Sequence, residues 1–409
     1  MSGRFARLSS VVLAAIVAAA CASTAGGGAP ANSYAGKTIK LGAILSITGQ
    51  GSVYGPSSRE GMELAVEQIN RSGGVNGATI NLTVRDDAST QSQSVQVAQT
   101  MIQSDQDLAL LGPTLSNSAV AVHPLAENQH IPILAVSTTG INIVPNCNFP
   151  STLPCRYVFR DSLGEETAIP DNIKSYAADA HPTTGVLLVA RDDKFSSDGG
   201  KIVETTAGRY GITLKKTIGF NKTESDLSQY VTEAVQLNPD VIFITSLGGI
   251  PAEIMHEARK QGWQGQFLGG NGFNTATVSK DAGADGADAR SASAWYLGNT
   301  FPSNTDFVTA YKAKYSNPDG TPKNPDQFAA QGFTAIKILA DAARRANLTF
   351  SDLTGDRDKM RVAMETMNIQ SPLGPFQFTS THDVKQTVWI IKMDGHGGFV
   401  LVHEIKASS

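Results

Sequence analysis

The sequence is poor in cysteine, in clustered charge and in long apolar runs. Three cysteines, Cys21, Cys147 and Cys155, stand in 409 residues, which excludes a disulfide-built scaffold and a cysteine-rich zinc domain. Lys and Arg number 33 against 37 Asp and Glu, for a net charge of −4. No long basic run is present to track a phosphate backbone, so nucleic acid is not a partner. There is no G-x-S-x-G elbow, no H-E-x-x-H pair and no C-x-x-C. The histidines, His123, His130, His181, His256, His382, His396 and His403, are scattered without ligand spacing, and surface or capping roles are expected of them. Neither metal nor cofactor is called for, and catalysis is not expected.

What is present is enough apolar sequence, 41% of the chain, for two α/β domains. At the N-terminus Arg4 and Arg7 precede a run from Leu8 to Ala20 that is apolar apart from Ser9 and Ser10. That is shorter than the ~20 residues of a bilayer span, so residues 1–20 read as a signal peptide. Val17-Ala18-Ala19-Ala20-Cys21 resembles a bacterial lipobox, with the small Ala18 where Leu is usual. By that resemblance Cys21 becomes the mature N-terminus and carries the lipid; cleavage elsewhere would leave it unmodified. Residues 21–36, almost all small or polar, form a tether unable to bury a core. The remainder is expected to be soluble, exported and held at the outer face of the cytoplasmic membrane. Export permits Cys147 and Cys155 to pair. Closing so short a loop would contribute ~2 kcal/mol, and a metal site is disfavoured because the segment offers no His and no second Cys pair.

Beyond the tether, apolar runs of strand length alternate with helical patterns, the signature of a parallel sheet covered by crossover helices. Ile39 to Leu45 is the first strand. Pro56 opens a helix whose Met62, Ala65, Val66 and Ile69 share a face, and Gly73-Gly74 ends it. Ile80 to Val84, Leu108 to Leu111 and Ile131 to Val136 follow as strands, with helices between them, the last from about Ala119. The rhythm restarts with helices near Glu165 to Ala178, Asp198 to Tyr210, Leu227 to Leu237 and Pro251 to Gln261. These alternate with strands Gly185 to Val189, Ile212 to Ile218, Val241 to Thr245 and Phe267 to Gly269. Helices Gln327 to Asn347 and near Arg357 to Met367 precede a terminal hairpin, Val388 to Met393 and Phe399 to His403, around Asp394-Gly395. The fold class is α/β with two Rossmann-like lobes.

Ligands of open α/β sheets bind where strands end and helices begin. Those loops here are rich in hydroxyls: Ser46, Thr48, Ser52 and Tyr54 in the first, Thr114, Ser116 and Ser118 in the third, and Ser137, Thr138 and Thr139 in the fourth. With helix N–H donors they suit a carboxylate without Arg or Lys; singly, each reads as well as a helix cap. Gly49-Gln50-Gly51 with Gly55 comes near a dinucleotide fingerprint, but the third glycine is one residue late and Asp86 too distant. A dehydrogenase is therefore the weakest reading.

The chain resembles the leucine/isoleucine/valine-binding proteins of ABC importers, which have the type I periplasmic-binding fold. The resemblance is carried by Ile39-Lys-Leu-Gly-Ala-Ile-Leu-Ser-Ile-Thr-Gly, Tyr54-Gly55 and Gly61-Met-Glu-Leu-Ala-Val-Glu-Gln-Ile-Asn. Gly112-Pro-Thr-Leu-Ser-Asn-Ser, Ile131-Pro-Ile-Leu-Ala-Val-Ser-Thr-Thr and Glu257-Ala-Arg-Lys-Gln-Gly continue it. It implies parallel-rich lobes joined by a three-crossover hinge: 37–158 with 297–385 as the first, 159–296 with 386–405 as the second. It implies a monomer that closes on a small-molecule ligand and meets ABC permease subunits. Ser116, Ser137 and Thr139 match the residues that hold an amino acid's α-carboxylate, with Thr138 between them. Tyr54 matches a pocket wall, and Phe195 falls where the second lobe offers an aromatic. Asn271 departs from the family, standing where an acid meets the α-ammonium, and Leu247 stands where a second aromatic is usual. Asp161, Glu165, Asp192 or Asp193 could supply the charge, or the ligand could lack the amine; the family also takes aromatic acids, amides and urea. A sensory receptor on the same fold is the alternative to transport.

Overall fold

A computed structural model describes residues 33–144 and 155–407. The signal segment, Cys21 and Cys147 lie outside the described residues, as does most of the tether. In the first half, β1 (Thr38–Leu45), α1 (Gly55–Arg71), β2 (Thr79–Asp86), α2 (Gln91–Gln103), β3 (Ala109–Leu111), α3 (Ser116–Asn128), β4 (Ile133–Ala135) and β5 (Val158–Arg160) alternate. The strands form a five-stranded sheet of order β2-β1-β3-β4-β5, parallel throughout. Both faces are covered, as a parallel sheet requires. In β1, Leu41, Ala43 and Leu45 enter one core while Ile44 enters the opposite one.

The second sheet is built from β6 (Thr184–Ala190), β7 (Thr213–Phe220), β8 (Val241–Thr245), β9 (Gln266–Gly269), β10 (Arg290–Ser293), β13 (Val388–Met393) and β14 (Phe399–Ile405). Its order is β14-β13-β10-β9-β8-β6-β7. Helices α4 (Glu165–Ala180), α5 (Lys194–Thr206), α6 (Ser228–Gln236), α7 (Ile250–Lys260) and α8 (Ala276–Ala282) cover it. In β6, Val186 and Leu188 point to one core and Leu187 and Val189 to the other, the period of two expected of a strand. The terminal hairpin adds β13 and β14 antiparallel at the edge.

Between β10 and β13 the chain returns to the first sheet. There α9 (Pro302–Lys314), α10 (Gln327–Arg345), α11 (Leu353–Glu365) and the short strands β11 (Ile369–Ser371) and β12 (Gly374–Phe376) pack on its outer face. α10 lies tightly on α1: a Cβ at Gly61 would stand 1.9 Å from the Ala329 carbonyl oxygen, and one at Gly332 2.3 Å from that of Ser58. Glycine at both positions is what lets the backbones approach. The boundary expected between 158 and 159 falls inside β5, which pairs with β4 as far as Arg160.

Arg160, 1% exposed, binds the connections together. Its guanidinium reaches Asp383 through Nε at 2.9 Å and Nη2 at 2.5 Å, and Glu166 through Nη2 at 2.6 Å. Those partners come from the segment returning to β13 and from the first turn of α4. A planar fork satisfied on both edges is the arrangement arginine is suited to when buried.

Candidate functional site

The carboxyl ends of β1, β3 and β4 face those of β6, β8 and β9 across a small cavity of about 10 Å3. That is about the volume that holds one water, far below the ~300–1,000 Å3 of pockets for drug-sized ligands, so the two walls lie almost against each other. The first-lobe wall is Tyr54, Thr114, Leu115, Ser116, Ser137 and Phe328; the second-lobe wall is Phe195, Leu247, Asn271 and Gly272. None of these ten side chains is charged.

The first wall is a donor surface. α3 starts at Ser116 with Leu115 as its N-cap, no side chain caps its first turn, and that turn contains no acid. Its N–H groups and the positive end of its dipole therefore address the cavity. Ser116 Oγ accepts from the Gly140 N–H at 3.2 Å, so its own hydrogen is available to a ligand. Ser137 Oγ donates to the Thr114 carbonyl at 2.8 Å, and Thr114 Oγ1 accepts from the Ser46 N–H.

The second wall is apolar except for Asn271. α5 brings in Phe195 because Asp193 caps the helix, accepting from the Ser196 N–H at 2.9 Å. The helix thus starts at Lys194, four residues before the Asp198 expected from the pattern of apolar residues. Asn271 opens a single 3-10 turn after β9. Its Oδ1 accepts from Gln327 Nε2 at 2.5 Å, and its N–H donates to Glu165 Oε1 at 2.8 Å.

The walls are tied together. Tyr54 Oη accepts from the Gly248 N–H at 3.0 Å and donates to the Gly272 carbonyl at 3.3 Å, crossing from the first lobe to the second. Asn117 on α3 donates to Asp193 at 3.0 Å and accepts from the Lys194 N–H at 2.8 Å. Thr139 donates to Glu165 at 3.3 Å. The lobes are shut.

Acidic groups stand behind the lining. Burial pushes the Glu165 carboxyl up to about 8, only partly offset by the Asn271 N–H and the Thr139 hydroxyl. Asp161 is driven well above the ordinary carboxylate range by burial, and neither of its oxygens has a partner. Burial also raises Asp193.

Five of the seven residues expected to touch a ligand, Tyr54, Ser116, Ser137, Phe195 and Asn271, are brought together on the cavity. Thr138 and Thr139 are not. Thr138 Oγ1 donates to the Pro113 carbonyl at 2.7 Å, and Thr139 turns to Glu165. Leu115, Phe328 and, behind Asn271, Gln327 escaped sequence reasoning. Phe328 packs on Tyr54 with ring centroids 5.0 Å apart; its nearest signal is Asp326, which caps α10. Among the described residues no cluster of His, Cys, Asp or Glu could hold a metal ion, and no helix is long and apolar enough to cross a membrane.

Two α/β lobes shut on a small uncharged cavity at the carboxyl ends of their strands define a bilobal solute-binding protein. The chain belongs to the periplasmic binding protein family, whose sequence profile matches residues 38–398. It is 23% identical over 356 residues to the leucine-, isoleucine-, valine-, threonine- and alanine-binding protein of Pseudomonas aeruginosa, covering 86% of this chain and 89% of that one. The leucine-binding protein LivK of Thermotoga maritima superposes with a TM-score of 0.79 at 22% identity, covering 90% of this chain and 99% of the other. A solute-binding protein of an ABC transporter from R. palustris, in complex with benzoate, also gives 0.79, at 20% identity over 91% and 97%.

Proposed function

We propose that the chain is the exported substrate-binding component of an ABC importer and captures a small carboxylate of about the size of a branched-chain or related amino acid. The observation that carries this is the uncapped N-terminus of α3, with the Ser116 hydroxyl beside it, opening into a cavity shut between two lobes. Such a terminus holds an anion without a basic side chain. The ligands named for the similar proteins agree, since leucine and benzoate share a carboxylate and little else. Closure follows because a ligand touching both walls stabilises the shut state over the open one.

The remaining parts belong to the same proposal. Residues 37–160 with 297–385 and residues 161–296 with 386–405, the boundary set after β5, move as two bodies about three crossovers. Cys21 carries the lipid that keeps a monomer beside its permease, and Cys147 pairs with Cys155. Calorimetry on refolded, ligand-free protein with a panel of amino acids, aliphatic and aromatic acids, amides and sugars tests it. A carboxylate among the binders is expected; silence from every carboxylate with tight binding of a sugar or amide contradicts it.

A further inference from the structure

We infer that the solute carries no ammonium group and instead presents a hydrogen-bond acceptor, a carbonyl or hydroxyl oxygen, to Asn271. This rests on the carboxylate reading above and narrows it. The argument turns on which end of the Asn271 amide faces the cavity, and a relay of buried groups decides that. The Ala294 backbone N–H can only donate, and it meets Gln327 at 2.8 Å, so the atom there is Oε1. The other end of that amide, Nε2, then points at Asn271 at 2.5 Å and requires an acceptor. Asn274 is fixed independently: the Ala292 carbonyl can only accept, and it lies 2.8 Å from Nδ2. The same Nδ2 stands 3.4 Å from the same Asn271 atom. The Gln327 donor requires that atom to be Oδ1, and Asn274 Nδ2, which also stands 3.2 Å from Gln327 Oε1, is a further NH2 beside it. Reversing Asn271 would set its NH2 against two others, leaving buried donors unsatisfied.

What remains for the cavity is Asn271 Nδ2, which makes no hydrogen bond among the described residues. It cannot receive a proton from an ammonium. No other lining group compensates, because none of the ten is charged, and an ammonium drawn from water without a counter-charge is strongly disfavoured. Glu165, whose Oε2 has no hydrogen-bond partner among the described residues, does not line the cavity and lies behind the loop. Its Oε1 holds the Asn271 N–H, and its Oε2 stands 2.3 Å from where a Cβ on Gly270 would be. Asp193 is held by Asn117 and Ser196. The cavity thus offers donors at both ends, the α3 terminus with Ser116 on one wall and Nδ2 on the other.

The test uses matched pairs that differ only in the ammonium: alanine and pyruvate, L-leucine and 4-methyl-2-oxopentanoate, and phenylalanine and phenylpyruvate. Each is titrated into refolded, ligand-free full-length mature chain. In whichever size binds, the oxo acid should be tighter by at least ~10-fold, the effect of leaving one buried polar group unpaired. Asn271→Asp, which returns an acid to that wall while still accepting from Gln327, should reverse the order. If the variant does not fold, the wild-type pairs decide alone. Amino acids binding as tightly as or tighter than their oxo partners overturns the inference and leaves the carboxylate reading intact. Silence from all six, together with every other carboxylate in the panel, overturns both.

Discussion

The two walls of the cavity are built on different principles. The first-lobe wall uses backbone: a helix terminus left without a side-chain cap, and hydroxyls on loops that follow β3 and β4. The second-lobe wall uses side chains held from behind, Asn271 by Gln327 and Glu165, and Phe195 by the Asp193 cap of α5. A backbone site recognises one charge on any solute that carries it, whereas the oriented amide decides what else that solute can be. On the proposed reading, generic capture falls to one lobe and discrimination to the other.

The largest effect is expected on the first wall. Ser116→Asp places a carboxylate where the ligand's should lie, at a helix position where acids are favoured, so the fold should survive. Affinity for the best carboxylate should fall at least ~100-fold by calorimetry, as like charges meet in a dry cavity, with the circular dichroism spectrum unchanged. Tyr54→Phe removes both hydrogen bonds from Oη to the second lobe. At ~0.5–1.5 kcal/mol each, their loss should weaken binding ~10-fold and act mainly on the dissociation rate, measurable by stopped-flow fluorescence.

Glu165 tests the second wall through pH. Its folded carboxyl sits at about 8 against the ordinary ~4.3 of an unfolded glutamate, so between those values the folded chain binds more protons than the unfolded one. Stability should therefore fall as pH rises through that window. Glu165→Gln should flatten the decline in urea midpoint between pH 5 and pH 8, with Asp161 leaving a residual slope of the same sign. The smallest effect is expected from Thr138→Val. Its hydroxyl is bound to Pro113 and off the cavity, so affinity should stay within about two-fold while stability drops by ~1 kcal/mol. A large loss of affinity would move the first wall to a different set of residues.

The first wall was the more legible of the two because spacing after strands carries it. Ser116, Ser137 and Tyr54 stand in the hydroxyl-rich loops that the order of strands marks out, and the family resemblance singles them out among the other hydroxyls there. Within Ser137-Thr138-Thr139, however, successive side chains turn to Ser137's cavity, to Pro113 and to Glu165, and composition cannot say which faces inward. The Asn271 orientation was out of reach, since it depends on Gln327, 56 residues away on a helix of the other lobe. Among the elements, β5, β11 and β12 are three residues long and leave no periodic trace. α9 was missed because Asn304, Phe307 and Tyr311 are its buried residues among thirteen. α10 stops at Arg345, before the expected Asn347, which sits at φ 50° in the left-handed region that ends a helix.

A crystal structure with the tightest-binding oxo acid tests the division between the walls most directly. The account predicts the carboxylate against Ser116 and the first turn of α3, and the oxo oxygen within hydrogen-bonding distance of Asn271 Nδ2. A carboxylate seated instead on Asn271, or an ammonium-bearing solute with Asn271 Oδ1 released from Gln327 to receive it, would contradict it.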